Sequence, residues 1–304
     1  MHAIRWVLVG WFLWPAFAAS QVVQPVPILA TVDTVQMPAW LERDGRIQAL
    51  AVGAEVSNGD KIRTGPQARV YLELAEGSGV KLGENAVLMV YSRSLKPTRN
   101  FKGALDVMTG AFRLTTPAVQ RPNSQRDIAI RIGTATAAPV VNSGATDLWG
   151  KADALRDLIL LIDGNIEVRH SGASFGMTEA LSYFSAPRNA PPVALTRVDP
   201  VSFKSWARET EALAGDGAAQ RGGKWKVLLA RVGQQSEALE VYDKARNAGY
   251  AAQVRVRPVG AGAPQKGGQW NYEVMLAQLA SEQDAVAVAS KIKAQLGFDA
   301  VLAQ

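Results

Sequence analysis

From Gln67 to Leu74 every second residue is apolar: Ala68, Val70, Leu72 and Leu74 alternate with Gln67, Arg69, Tyr71 and Glu73. Successive side chains of an extended chain point to opposite sides, so this pattern specifies a strand with one buried face. Thr64-Gly65-Pro66 and Glu76-Gly77-Ser78 bracket it with turn-forming residues. Asp44-Gly45, between Leu41-Glu42-Arg43 and Arg46-Ile47-Gln48, suits the positive φ angles of a tight hairpin, and Asn58-Gly59 repeats the device. Further strands are expected from Val80 to Leu82, Val87 to Tyr91, Leu105 to Met108, Ala111 to Leu114, Ile128 to Ile132 and Leu158 to Ile162. Residues 31–186 therefore form an expected all-β domain.

The 304 residues, 48% of them hydrophobic, suffice for about two domains. At the start, Arg5 precedes the apolar run from Trp6 to Trp14, followed by Pro15 and Ala16-Phe17-Ala18. That order predicts a cleavable secretory signal over residues 1–18, shorter than the ~20-residue helix needed to span a bilayer. An uncleaved anchor or a buried strand is the alternative. No later run approaches ~18 apolar residues, so no transmembrane segment is expected after cleavage. The chain has no cysteine, hence neither a disulfide framework nor a thiol for a lipid. A bacterial periplasm is the expected compartment. The formal charge of +6 suits an acidic partner such as cell-wall polymer or a membrane surface, and nucleic acid is not an expected partner there.

Gly59-Asp60-Lys61-Ile62-Arg63-Thr64-Gly65 contains two glycines, two bases and a hydroxyl. A Walker-type phosphate cradle places Lys and Ser or Thr directly after its second glycine, where this chain has Pro66 and Gln67. Pro66 also lacks the N–H an anion would use. A calcium loop needs carboxylates at alternate positions, which are missing. Turn chemistry is expected instead. This stretch, the strand to Leu74, the Glu76-Gly77-Ser78 turn and Val80-Lys81-Leu82 together resemble the FecR domain. Arg131-Ile132-Gly133-Thr134 and the run from Leu161 to Val168 resemble its closing elements, so the likeness covers about residues 35–170. The resemblance implies a periplasmic β-rich interaction or sensing module without enzymatic activity.

Residues 187–223 read as a connector. Pro187, Pro191 and Pro192 interrupt structure, Asp199-Pro200 offers a cap and first residue for a short helix, and Gly215 to Gly223 form an expected flexible linker. Residues 224–304 then contain a repeat. The strand-like run from Lys224 to Val232 returns from Asn271 to Leu279, with Val227 and Val274 equivalent, and each copy continues into a helix-like stretch. Both stretches end near a glycine, Gly249 or Gly297, followed by Tyr250 or Phe298. Two βαβ units predict a ferredoxin-like sheet with both helices on one face.

This repeat resembles the SPOR domain, which implies binding of peptidoglycan glycan strands. The family's Val-Gln-x-Gly-Ser-Phe run is replaced here by Val227 to Val232, which leaves a periplasmic protein partner open as the alternative. Alternation puts Lys226, Leu228, Ala230, Gln253, Arg255, Arg257, Glu273 and Met275 on the uncovered face. The candidate peptidoglycan-binding residues are Lys226, Leu228, Arg231, Gln253, Arg255, Arg257 and Met275. Arg255 and Arg257 suit wall carboxylates, whereas Leu228 and Met275 suit a protein. Trp225 and Trp270 either stack on sugars or pack at strand ends.

Catalytic chemistry is sparse. His2 and His170 are the sole histidines, His170 lies in a turn-like His170-Ser171-Gly172 context, and no Gly-x-Ser-x-Gly elbow accompanies it. Zinc lacks its common ligands, so no metal and no cofactor are expected. Asp33, Glu42, Glu76, Glu84 and Asp163 sit mostly at strand ends and turns, unmarked as an acid and base pair. The sequence thus predicts an α+β multidomain, non-enzymatic envelope protein: an N-terminal all-β FecR-like domain, a linker helix and a C-terminal ferredoxin-like βαβ-βαβ SPOR domain.

Overall fold

The computed structural model describes residues 27–94, 100–117, 125–140, 144–259 and 269–303, so the expected signal over residues 1–18 lies outside the described residues. Strands dominate. The first nine are β1 (Ile28–Gln36), β2 (Ala39–Arg43), β3 (Arg46–Ala49), β4 (Glu55–Ser57), β5 (Lys61–Thr64), β6 (Arg69–Leu74), β7 (Gly79–Leu82), β8 (Val87–Ser92) and β9 (Asn100–Thr116). Eight follow: β10 (Gln125–Ile132), β11 (Ala135–Pro139), β12 (Thr146–Ala152), β13 (Arg156–Asp163), β14 (Ile166–His170), β15 (Ala173–Met177), β16 (Ser182–Pro187) and β17 (Val193–Arg197).

The long strand β9 belongs to two layers. Its first part pairs with β8 and, in parallel, with β10, while its second part pairs with β7 and β12. Partners change at Gly110, where φ is +86° and a Cβ would lie 2.5 Å from Ala86 Cα, so a glycine is required. One layer runs β3-β2-β5-β8-β9-β10-β11-β14-β15 and the other β1-β6-β7-β9-β12-β13-β16-β17. The alternation read at residues 67–74 is kept: Val70, Leu72 and Leu74 are buried in a core shared with Leu88, Leu105, Ile130 and Val168.

The Gly59–Gly65 stretch is a tie within this scaffold. The buried Asp60 carboxylate accepts the Ser57 N–H at 2.6 Å and two bonds from the Arg43 guanidinium at 2.8 and 2.5 Å. The Thr64 hydroxyl donates to the Gly83 carbonyl at 2.6 Å and accepts the Ala86 N–H at 2.8 Å. Its polar groups thus satisfy neighbouring backbone and one arginine, as turn chemistry requires. Gly133-Thr134 is held similarly by the buried Asp157, which accepts the Thr134 N–H and hydroxyl at 2.8 and 2.7 Å and both Arg188 amino groups.

The connector is bound to the scaffold along its length. Helix α1 (Pro200–Arg208) starts where the Asp199-Pro200 pair predicts, with the Asp199 carboxylate accepting the Val201 and Ser202 N–H groups at 3.0 Å. Its Trp206 ring stacks on Trp149 at 5.5 Å and 9°, with Tyr183 edge-on at 5.9 Å, over a second small core that includes Leu158, Leu160 and Val198. Just beyond the helix, Glu209 pairs with Lys151 at 2.8 Å, and Glu211 takes Lys81 at 2.7 Å, Arg113 at 3.1 Å and the Tyr71 hydroxyl at 3.2 Å. Strand register places Tyr71, Lys81, Arg113 and Trp149 in one outward row across β6, β7, β9 and β12.

The expected flexible linker at Gly215–Gly223 is corrected. Asp284 Oδ1 accepts the N–H groups of Gly215, Gly217 and Ala218 at 3.0, 3.0 and 3.1 Å. Strand β18 (Ala218–Gln220) follows and pairs with β1. The remaining elements are β19 (Trp225–Val232), α2 (Gln235–Asn247), β20 (Gln253–Pro258), β21 (Trp270–Leu279), α3 (Glu282–Leu296) and β22 (Val301–Ala303).

The expected fold class is also corrected. The chain is not an α+β multidomain protein ending in a separate ferredoxin-like βαβ-βαβ domain. It is mostly β, with twenty-two strands and three short helices among the described residues, all strands joined through ladders that are antiparallel except β9 with β10. The joint is β18, which pairs with β1 on one side and β21 on the other, so the C-terminal strands extend the sheet system that precedes them. Ala218 and Ala219 are small enough to be buried at that joint, where composition alone suggests a loose spacer. Ala39 N–H to Gly249 carbonyl (3.1 Å) and Trp40 Nε1 to Asn247 carbonyl (3.2 Å) add a second seam.

Candidate binding face

Strands β20, β21, β19 and β22 lie side by side in that order. Ala238 and Ala245 of α2 and Ala285, Val288 and Ile292 of α3 are buried in the same core as Val227, Leu229, Val274 and Leu276. The opposite side of these strands carries the candidate residues.

Register fixes which ones meet. Leu228, Met275 and Gln253 share one row, and Arg231, Glu273 and Arg255 share the next. A bulge between Leu228 and Ala230 inserts one extra residue into β19. Ala230 therefore pairs with Val274 on the helix side, and Arg231 takes the outer position that strict alternation gives to Ala230. Lys226 pairs with Ala303 at the β22 edge.

Glu273 is the organising group. Its side chain is 8% exposed; Oε1 accepts from Arg231 Nε at 3.0 Å, and Oε2 forms an ion pair with Arg257 Nε at 3.1 Å. Those arginines remain 59% and 55% exposed, and Arg255 is exposed beside them. One buried carboxylate thus holds two of three guanidiniums while leaving a net positive surface. Because planar guanidiniums offer paired N–H donors, their free edges suit carboxylates or ring hydroxyls. Glu273 was marked in the sequence only by its period-2 position among bases.

The remaining candidates divide. Met275 is 4% exposed, so it supports the face from beneath. Leu228 and Lys226 are half-buried, and Gln253 is exposed on β20. Trp225 packs against the core, while Trp270 stays 38% exposed opposite Pro258.

Of the acids considered for catalysis, Asp33, Glu42, Glu76 and Glu84 each have a partner of their own, that of Asp33 being Arg221 at 3.8 Å. Glu42 pairs with Lys61 at 3.1 Å, Glu76 with Arg126 at 2.8 Å, and Glu84 accepts the Gln67 N–H at 2.7 Å. His170 lies against Phe184 with ring centroids 5.8 Å apart. Among the described residues no group of three His, Cys, Asp or Glu is placed to hold a metal ion.

No family model matches the chain, and no curated protein matches it. Solved structures that resemble it in part include two described as a "putative anti-sigma factor" from Parabacteroides distasonis ATCC 8503. The crystal structure at 1.65 Å aligns with a TM-score of 0.39 and 13% identity over 48% of this chain and 64% of that one, so this chain spans less than two thirds of its length. The structure at 2.50 Å aligns with a TM-score of 0.38 and 13% identity over 78% of this chain and 91% of that one.

Proposed function

We propose that this chain is a non-enzymatic binding protein of the bacterial periplasm. In this proposal the β20–β21–β19 face holds peptidoglycan glycan strands, and the FecR-like β-rich part engages a second ligand or protein. The observation that carries the proposal is the Arg231–Glu273–Arg257 arrangement with Arg255 beside it, on the side of the strands away from α2 and α3. Peptidoglycan combines ring hydroxyls with lactyl and peptide carboxylates, which such guanidiniums bind through charge-assisted hydrogen bonds.

The test is sedimentation of the full chain with purified sacculi. The unaltered chain pellets, and Arg255→Ala/Arg257→Ala loses at least about tenfold in affinity, the equivalent of ~1.4 kcal/mol. Fold stability changes by no more than about 0.5 kcal/mol, because both side chains are exposed and Glu273 keeps Arg231. Pelleting that ignores the substitution overturns the site, and muropeptide release overturns the non-enzymatic proposal.

A second proposal, a protein partner, has its own support. β20 is a sheet edge with Val254 37% and Val256 50% exposed, a surface on which another chain could add a strand. Binding that survives Arg255→Ala/Arg257→Ala yet fails in Val256→Pro favours this one.

A further inference from the structure

On the layer of β8, β9 and β10, away from the core, register aligns Tyr91, Ala104 and Ala129 in one outward row. The neighbouring rows are Lys102 with Asp127 on one side and Met89, Asp106 and Arg131 on the other. Alanine is depleted in strands, since a pleated surface is better covered by branched and aromatic side chains. Two alanines side by side on an outward row, ringed by long side chains, leave a recess. Its volume is about 610 Å³, within the ~300–1,000 Å³ typical of small-ligand sites.

The walls are chemically uneven. Tyr91 supplies a ring, and Arg131 is held near it by Asp106 at 2.9 Å, 5.9 Å from the ring centre. Arg93 and Lys102 add two further cations and Asp127 one carboxylate. Asn58 lines the recess, and because its Oδ1 accepts the Ser92 N–H at 2.9 Å its amide nitrogen is the donor end it has to offer. An aromatic wall, a flat apolar floor, hydroxyl-matching polar groups and a surplus of cations are complementary to a sugar ring bearing a carboxylate.

We infer that this recess is a binding site for an acidic saccharide. The inference rests on the proposal that the β-rich part is a binding module and names the chemical class of its second ligand. Arg131 pairs with the carboxylate, Tyr91 lies along the ring, and Ala104 and Ala129 give the space.

The test follows the alanine methyl signals of the full chain during titration with D-glucuronate, with D-glucose and acetate as comparisons. Expected is a saturable shift of Ala129 with D-glucuronate alone, weakened at least about tenfold in Arg131→Gln. Ala104→Phe fills the recess from an outward position and abolishes the shift, while the chain pellets with sacculi as before. No saturable shift, or an equal response to D-glucose or to acetate, overturns the inference. If the Ala129 shift is present but the unaltered chain does not pellet, the saccharide site stands and the wall-binding proposal falls.

Discussion

On β6, β7, β9 and β12 the outward row of Tyr71, Lys81, Arg113 and Trp149 is roofed by the connector, whereas on β19, β21 and β20 Arg231 and Arg257, with Arg255 beside them, have among the described residues Glu273 as their charge partner. In sequence the two look alike, each bringing two or more bases onto the outward face of neighbouring strands. What separates them is acid: Glu211 from the connector and Asp147 from β12 neutralise Lys81 and Arg113, Glu209 pairs with Lys151 beside them, and Trp206 seals the row by stacking on Trp149. Partly covered pairs are screened less than exposed ones, so the first row is committed to holding the chain together. The second keeps its charge facing outward. Coverage, then, separates a structural basic row from a candidate binding row, and charge alone does not.

The comparison breaks most completely if the connector is unhooked at Asp284. That carboxylate accepts three N–H groups from Gly215, Gly217 and Ala218, and also meets the Ser281 hydroxyl at 2.5 Å. Asp284→Ala strands buried donors at the joint between both regions and should cost about 3 kcal/mol or more. Asp284→Asn keeps an acceptor and should cost about half as much. Urea denaturation measures both, and a loss below about 1 kcal/mol for the alanine variant would mean the joint does not depend on this group.

A smaller effect is expected from Trp206→Ala. Removing a half-buried indole that stacks on Trp149 and meets Tyr183 should cost about 2 kcal/mol. Its value lies in making the two rows alike. In an Arg255→Ala/Arg257→Ala background, Trp206→Ala should increase retention on a heparin column, because Lys81 and Arg113 become accessible as the connector loosens. Unchanged retention would show that the pairs of Glu209 and Glu211 hold the roof without the stack.

Much of this was legible in the sequence where a rule is local. The alternating strand at residues 69–74, the Asp199-Pro200 helix start and the glycines after α2 and α3 follow from backbone geometry acting over a few residues. Connections set by distant partners were not. Gly215 to Gly223 has the composition of a spacer, and only Asp284, some seventy residues later, turns its free N–H groups into a bound nest. The expected separate C-terminal domain fails for the same reason, since nothing near Ala218 announces that it will pair with β1. The candidate face was legible in its bases, but the bulge that brings out Arg231 and the burial that withdraws Met275 depend on packing.

The smallest effect concerns pH and the roofed row alone. Burial pushes the Glu211 carboxyl upward, but the Lys81 ammonium, the Tyr71 hydroxyl and the Arg113 guanidinium outweigh it and hold the acid below its ordinary range. Burial pushes the Tyr71 phenol up to about 12, so it remains a donor to Glu211 through the acid range. A carboxyl with a depressed folded-state pKa contributes its stability in full above the ordinary glutamate value of ~4.3 and loses it as pH falls through the lower folded value. Trp206 fluorescence should therefore report connector release only below about pH 4. In Lys81→Met one lowering influence is gone, and the transition should move up toward the ordinary glutamate value. The Arg231–Glu273–Arg257 face lies outside this switch, so sacculus binding measured across the same transition should not track the fluorescence of Trp206. A common midpoint for both signals would mean that the two rows are coupled through β18 and not independent.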